Sequence, residues 1–169
     1  VICAEWLTRR KDVAISVDIP GRGPLTIESV LFDLNGTLAC DGLIAESTRE
    51  RLKALGDSMT LYVMSADTYG TLEQVTADLP IRVQRVQQTV GAPEKRRLLD
   101  VLGADLTAVV GNGRNDVEML GAAALGIVIM GPEGAAKDAV LAADLIFGHI
   151  DDALDCLLQP RRLVASLRG

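Results

Sequence analysis

Ser29-Val30-Leu31-Phe32-Asp33-Leu34-Asn35-Gly36-Thr37-Leu38 is the stretch that decides the fold. Residues 29–34 are apolar after Ser29 except for Asp33. That is the pattern of a strand buried on both faces of a parallel sheet, not of one with a wet side. The Asn35-Gly36 pair that follows supplies a tight turn. A carboxylate at the end of such a strand needs a partner, because an unpaired buried charge is costly. Taken alone, Asp33 reads equally as a turn or helix-capping residue, so its neighbours must decide.

Upstream, residues 13–19 alternate and stop at Pro20-Gly21-Arg22-Gly23-Pro24; alternation resumes over 25–28, which predicts a β-hairpin spanning 13–28. Downstream, the spacing predicts helices over 46–55, 71–79, 92–102, 115–123 and 134–143. Between them lie strands over 59–64, 81–86, 107–110, 126–130 and 145–147. Pro93 suits a first helical turn, and Pro160 separates two last helices over 151–158 and 161–167. Strand and helix in alternation with short loops imply an α/β fold, a doubly wound parallel sheet with an N-terminal β-hairpin. The expectation is one domain over 1–169, with a catalytic core at 29–147 and C-terminal helices at 150–168.

Composition agrees and excludes other classes. The 169 residues are 49% hydrophobic and only 3% aromatic, with 16 glycines, which suits a layered α/β core and argues against disorder. Twenty-three acidic against 17 basic residues give a net charge of −6, and the pI is near 4.8. The basic clusters Arg9-Arg10-Lys11, Arg96-Arg97 and Arg161-Arg162 read as solvated helix ends, so nucleic acid is not expected as a partner. The longest apolar run, Ala122 to Met130, is far short of the roughly 18 residues of a membrane span. Charges at Arg9 to Asp12 come too early for a secretory signal. Cys3, Cys40 and Cys156 lie far apart and read as reduced, mostly buried thiols, which points to the cytoplasm. His149, the sole histidine, reads as structural.

In a doubly wound sheet, chemistry collects beyond the carboxyl ends of the strands. Asp33 ends one strand, Ser65-Ala66-Asp67-Thr68 ends the next, and Gly111-Asn112-Gly113-Arg114-Asn115-Asp116 ends a later one. Lys95, one of only four lysines, opens the helix between them. A carboxylate, a hydroxyl, an ammonium and a glycine-rich amide-and-carboxylate loop are the groups that handle a phosphoryl anion. A dinucleotide reading of the glycine loop fails, since Asp116 stands where a third glycine belongs.

This ordered set resembles the haloacid dehalogenase (HAD) superfamily, and within it the soluble P-type ATPase-like proteins. Asp33-Leu34-Asn35-Gly36-Thr37-Leu38 is similar to the first motif, DxDGTL. Ser65 is similar to the second-motif Ser/Thr, Lys95 to the third, and Gly111 to Asp116 to the fourth, GDGxND. The resemblance covers residues 29–147 and implies a HAD-like Rossmannoid domain. It makes Asp33 the nucleophile that forms an aspartyl-phosphate, with Asn35 and Lys95 completing the catalytic set. It implies Mg²⁺ held by Asp33, Asn35, Asn112 and Asp116, and phosphate held by Gly36, Thr37, Ser65, Ala66 and Asn115. HAD proteins often carry a cap domain, but the short loops after Leu38 and after the later strands leave no room for one.

Two departures bear on activity. Asn35 stands where an acid/base aspartate is usual, and such help is worth about 10²–10⁴-fold. Asn112 stands for a metal-binding aspartate and brings one negative charge fewer. The resulting expectation is a Mg²⁺-dependent phosphohydrolase, slow on simple esters, acting on a phosphorylated small molecule or phosphoprotein. The competing expectations are a non-catalytic phosphate- or phosphoprotein-binding HAD descendant, and less favoured, a phosphoacceptor switch or a dehalogenase. The hairpin and Leu163, Val164 and Leu167 are either a homo-oligomer surface or packing on their own domain.

Overall fold

The computed structural model describes residues 15–65, 72–86 and 91–169. β1 (Ile15–Ile19) and β2 (Gly23–Ile27) form the antiparallel hairpin, with Ile15 opposite Ile27. The chain then runs β3 (Ser29–Asp33), α1 (Glu46–Ser58), β4 (Thr60–Ser65), α2 (Leu72–Thr76), β5 (Ile81–Arg85) and α3 (Gly91–Leu102). It continues through β6 (Thr107–Gly111), α4 (Val117–Ala122), β7 (Leu125–Ile129), α5 (Lys137–Ala142) and β8 (Leu145–Phe147). Two helices close the fold, α6 (Ile150–Leu158) and α7 (Pro160–Leu167).

Six strands form one parallel sheet in the order β5-β4-β3-β6-β7-β8. The expected α/β architecture is therefore the observed one. Every residue of β3, β6 and β7 is buried, as continuous apolar strands between two helical layers should be. Successive side chains point to opposite faces. Val30, Phe32, Leu61, Val63, Ala108 and Val110 join the core under α1 and α6. Leu31, Tyr62, Met64, Val109 and Val128 join the core under α3, α4 and α5. Burying a side chain of this kind contributes about 1.5–3 kcal/mol, so the sheet is held from both sides.

The chain enters at the sheet's middle, builds outward through β4 and β5, and returns to place β6 beside β3. The order reverses between β3 and β6, and the loops leaving these two strands diverge around a crevice where ligands bind in such folds. The hairpin packs on its own domain. Ile15, Ile19, Leu25 and Ile27 are buried with Leu163, while Val164 and Leu167 are half-buried against the same core. Arg22 pins it further, donating to the Ala124 carbonyl (3.0 Å) and pairing with Asp144 (3.1 Å).

Several boundaries differ from the expected ones for local reasons. β3 ends at Asp33, because Leu34 already turns to accept the Ala39 amide (2.8 Å). The helix expected over 71–79 is only α2; the Leu79 amide bonds back to Thr76, and Pro80 holds Leu79 out of the helical region. The helix expected over 115–123 opens as a 3₁₀ turn at Arg114–Asp116 before α4 begins. The helix expected over 134–143 starts at Lys137, after Gly134 at φ +77° and an extended Ala136. Cys156 is buried as expected but Cys40 is exposed, a correction to the reading of mostly buried thiols; Cys3 lies outside the described residues. Among the described residues no helix is long and apolar enough to cross a membrane.

Candidate active site

Register sets the site. Phe32 pairs with Val110, so Asp33 and Gly111 stand level at the sheet's carboxyl edge. Asp33 pairs with Met64 on its other side, which puts Ser65, itself 1% exposed, one step further along β4. From α3, Lys95 reaches into the crevice with only 1% of its surface exposed. Its Nζ donates to Asp33 Oδ1 (2.6 Å) and to Asp116 Oδ1 (2.6 Å). The structure thus brings together a strand-end carboxylate, a helix lysine and a loop carboxylate that lie far apart in the chain.

The loop after β6 is wound around Asp116. Its Oδ2 accepts the backbone amides of Asn112 (3.0 Å) and Gly113 (2.9 Å). A Cβ on Gly111 would sit 2.6 Å from that oxygen, so only glycine lets the carboxylate approach so closely. The loop after β3 is a tight turn with Gly36 at φ +75°, a conformation natural to glycine. Any Cβ on Gly36 would collide with Asn112 Nδ2. Asn112 ties three loops together: its Nδ2 donates to the Gly134 carbonyl (3.1 Å), its backbone carbonyl accepts from Ala136 (2.8 Å), and its Oδ1 accepts from Thr37 Oγ1 (3.4 Å).

Other expected residues are placed differently. The amides of Gly36 and Thr37, expected to face phosphate, donate inside their own turn to Ala39 (2.9 Å) and Leu34 (3.3 Å). Tight turns satisfy their own amides first, because an unpaired buried N–H is costly. Asn35 is half-buried, and Asn115 is exposed on the 3₁₀ turn. Ala66 lies outside the described residues. His149 is structural as expected: its Nδ1 accepts the Asp151 amide (3.1 Å) and caps α6. Glu133, on the β7–α5 loop, was not anticipated from sequence. Its Oε2 lies 3.1 Å from where a Gly36 Cβ would stand. The signal was present in Gly131-Pro132-Glu133-Gly134, a turn immediately beyond a buried strand.

Burial raises the Asp33 carboxyl to about 6, helped by repulsion from Asp116 and opposed by the charge and hydrogen bond of Lys95. Burial works against the Lys95 ammonium, but Asp33 and Asp116 outweigh it and hold its proton more tightly than usual. Two buried carboxylates against one lysine leave the crevice with excess negative charge. The side-chain oxygens at hand are those of Asp33 and the Asn112 amide, with Asp116 already taking three donors. These are the hard donors that Mg²⁺ takes, and a divalent cation offsets the excess charge. The residues present fit such an ion.

No protein-family model matches the chain. The chain is 51% identical over 39 residues to uncharacterized protein MJ0072 of Methanocaldococcus jannaschii, covering 23% of this chain and 89% of that one. The chain belongs to the family of MJ0072. It is also 46% identical over 59 residues to uncharacterized protein MJ0073 of the same organism. That match covers 35% of this chain and 63% of the relative, less than two thirds of its length.

Solved structures share the fold. One is a Legionella pneumophila protein assigned to the HAD superfamily (subfamily III A) hydrolases, with TM-score 0.66 and 16% identity over 82% of this chain and 87% of that one. Another is the 3-deoxy-D-manno-octulosonate 8-phosphate phosphatase of Moraxella catarrhalis, in complex with magnesium, phosphate and KDO. It has TM-score 0.65 and 17% identity over 84% of this chain and 94% of that one. The cobalt-bound form of the corresponding Haemophilus influenzae phosphatase gives TM-score 0.65 and 19% identity, covering 79% and 88%. The chain therefore has the HAD-like fold.

Proposed function

We propose that this protein is a Mg²⁺-dependent phosphohydrolase that works through an aspartyl-phosphate on Asp33. The observation that carries the reading is the buried Asp33–Lys95–Asp116 constellation at the point where the sheet order reverses. Neighbours of the same fold include phosphatases, one of them in complex with magnesium and phosphate.

In this reading the Asp33 carboxylate attacks phosphorus, the bond to the leaving oxygen breaks, and water later attacks phosphorus to release phosphate and regenerate the carboxylate. Lys95 orients Asp33 and faces the negative charge of the transferring group. Ser65 and Asn115 supply further donors to the phosphoryl oxygens, while Gly36 keeps the turn thin enough for a close approach. Asp33, the Asn35 carbonyl and Asn112 would hold Mg²⁺, with Asp116 behind them. The ion would offset the repulsion between Asp33 and a phosphoryl anion. Asn35 carries no ionisable proton to give a leaving group, so acyl phosphates and other good leaving groups are favoured over simple esters. The absence of an acid at this position is also what makes the P-type ATPase-like resemblance attractive.

Residues 34–45 between β3 and α1 and residues 86–90 between β5 and α3 are too short for a folded cap. An open crevice suits a phosphorylated small molecule or a phosphoprotein. Asn35 and Asn112 favour a second reading, a phosphate-binding descendant without turnover.

Intact mass of fresh protein incubated with acetyl phosphate and Mg²⁺, followed alongside phosphate release, tests this. The expected result is a phosphoryl adduct or phosphate release that disappears in Asp33→Asn and on chelation. Neither signal, in protein shown to bind Mg²⁺, would leave the binding reading in its place.

A further inference from the structure

Asn35 leaves open which group takes the proton from the water that breaks the aspartyl-phosphate. Any candidate must be a carboxylate or similar base, must be wet, and must sit over the turn that follows Asp33. Within that turn and the loops that meet it, Glu133 meets all three conditions. It is exposed, and its Oε2 stands 3.1 Å from the Cβ position of Gly36, the residue next to Asn35. The loop carrying it is fixed to the site, since Gly134 accepts from Asn112 Nδ2 and the Asn112 carbonyl accepts from Ala136. A cavity of about 70 Å³ is lined by Gly36, Thr37, Gly131 and Glu133 among others. The space is open and large enough to admit water beside the Glu133 carboxylate and the turn.

We infer that Glu133 is the general base for hydrolysis of the aspartyl-phosphate, a task that Asn35 cannot perform. The inference rests on the phosphohydrolase reading above. The water oxygen bonds to phosphorus, the phosphorus–Asp33 oxygen bond breaks with its electron pair returning to the carboxylate, and the water proton passes to Glu133. With an acyl phosphate, the first step releases a carboxylate that needs no proton, so Glu133 acts only in the second. Asp41 is the nearby alternative, since its carboxylate, that of Glu133 and the Cys40 thiol have ligand atoms within 4.8 Å of one another. The position a Gly36 Cβ would take has Glu133, and not Asp41, among its three nearest atoms.

The test follows adduct formation and decay separately, by rapid-quench intact mass with acetyl phosphate and Mg²⁺. Glu133→Gln is expected to form the adduct at the wild-type rate and to lose it about 10²-fold more slowly. Asp41→Asn is expected to decay as wild type does. In Glu133→Ala, added formate is expected to restore decay, a rescue that a merely structural role would not show. Wild-type decay in Glu133→Gln, or slow decay in Asp41→Asn alone, overturns the assignment while leaving the phosphohydrolase reading intact. Absence of both adduct and phosphate release in the wild type overturns that reading and this inference with it.

Discussion

Asp33 and Asp116 share one lysine, each at 2.6 Å, yet the loops around them make two different residues of them. Asp116 is fully buried and held by two backbone amides as well as by Lys95. Asp33 stands 9% exposed at the open end of its strand, and burial and the nearby Asp116 charge raise its carboxyl to about 6. A carboxylate saturated with donors is an anchor. One that is desolvated and has fewer donors is suited to react, because its electron pairs are less fully engaged. The difference lies in how each loop folds. The turn after β3 gives Asp33 only the Leu34 amide and spends those of Gly36, Thr37 and Ala39 on its own carbonyls, whereas the loop after β6 turns two amides onto Asp116.

Removing the shared cation should show the largest effect. Lys95→Met leaves two buried carboxylates without their charge partner and is expected to cost about 3–5 kcal/mol. Urea unfolding at pH 7.5 with chelator checks this, and a loss under about 1 kcal/mol would mean that Lys95 does not hold the two loops together.

The two carboxylates should then separate. Asp116→Asn keeps an oxygen for the amides but turns charged hydrogen bonds into neutral ones, at an expected cost of about 2–3 kcal/mol. Equal losses for Asp116→Asn and Asp33→Asn in the same unfolding experiment would erase the distinction between anchor and reactive group.

The distinction also has a pH signature. The ordinary value of an Asp carboxyl is 3.8, against about 6 for Asp33 in the fold, so between these values the folded state binds more protons than the unfolded one. Stability contributed at the acid end is therefore lost as pH rises through roughly 4 to 6, about 3 kcal/mol in all. Asp33→Asn lacks this decline, so its advantage over wild type should open across that window and stay constant above it. Unfolding free energies at pH 4.5 and 7.5, without metal, decide this; a gap that does not change with pH contradicts it.

The smallest effect concerns the turn itself. Gly36→Ala forces a side chain into the left-handed region and displaces the Asn112 amide, at an expected cost of about 1–2 kcal/mol. Mg²⁺ affinity by calorimetry should weaken in parallel if Asn112 is a ligand. Unchanged affinity would separate the turn's stability from metal binding.

Much of this was legible beforehand. Leu31 and Phe32 announced a strand buried on both faces, and the strand-end rule placed Asp33, Ser65, Lys95 and the loop ending at Asp116 on one edge. Glu133 was passed over because its one local mark, a turn beyond a buried strand, names no chemistry. An exposed glutamate in a Gly-Pro-Glu-Gly turn looks like any other surface residue until the β3 turn is brought against it. Nor did the motif, which implies Gly36 and Thr37 at an anion, show that their amides bond inside the turn.

The sequence by itself determined the layered α/β fold, its strand order of appearance and the residue types at the strand ends. Those follow from apolar periodicity and turn chemistry, which act over a few residues. Only the tertiary structure decided which of two carboxylates is saturated and which is strained by desolvation. It also decided that Asn112 would tie three loops and that Glu133 would stand over the nucleophile's turn. Hydrogen-bond donors are shared out among groups distant in the chain, and that allocation exists only once the loops have met.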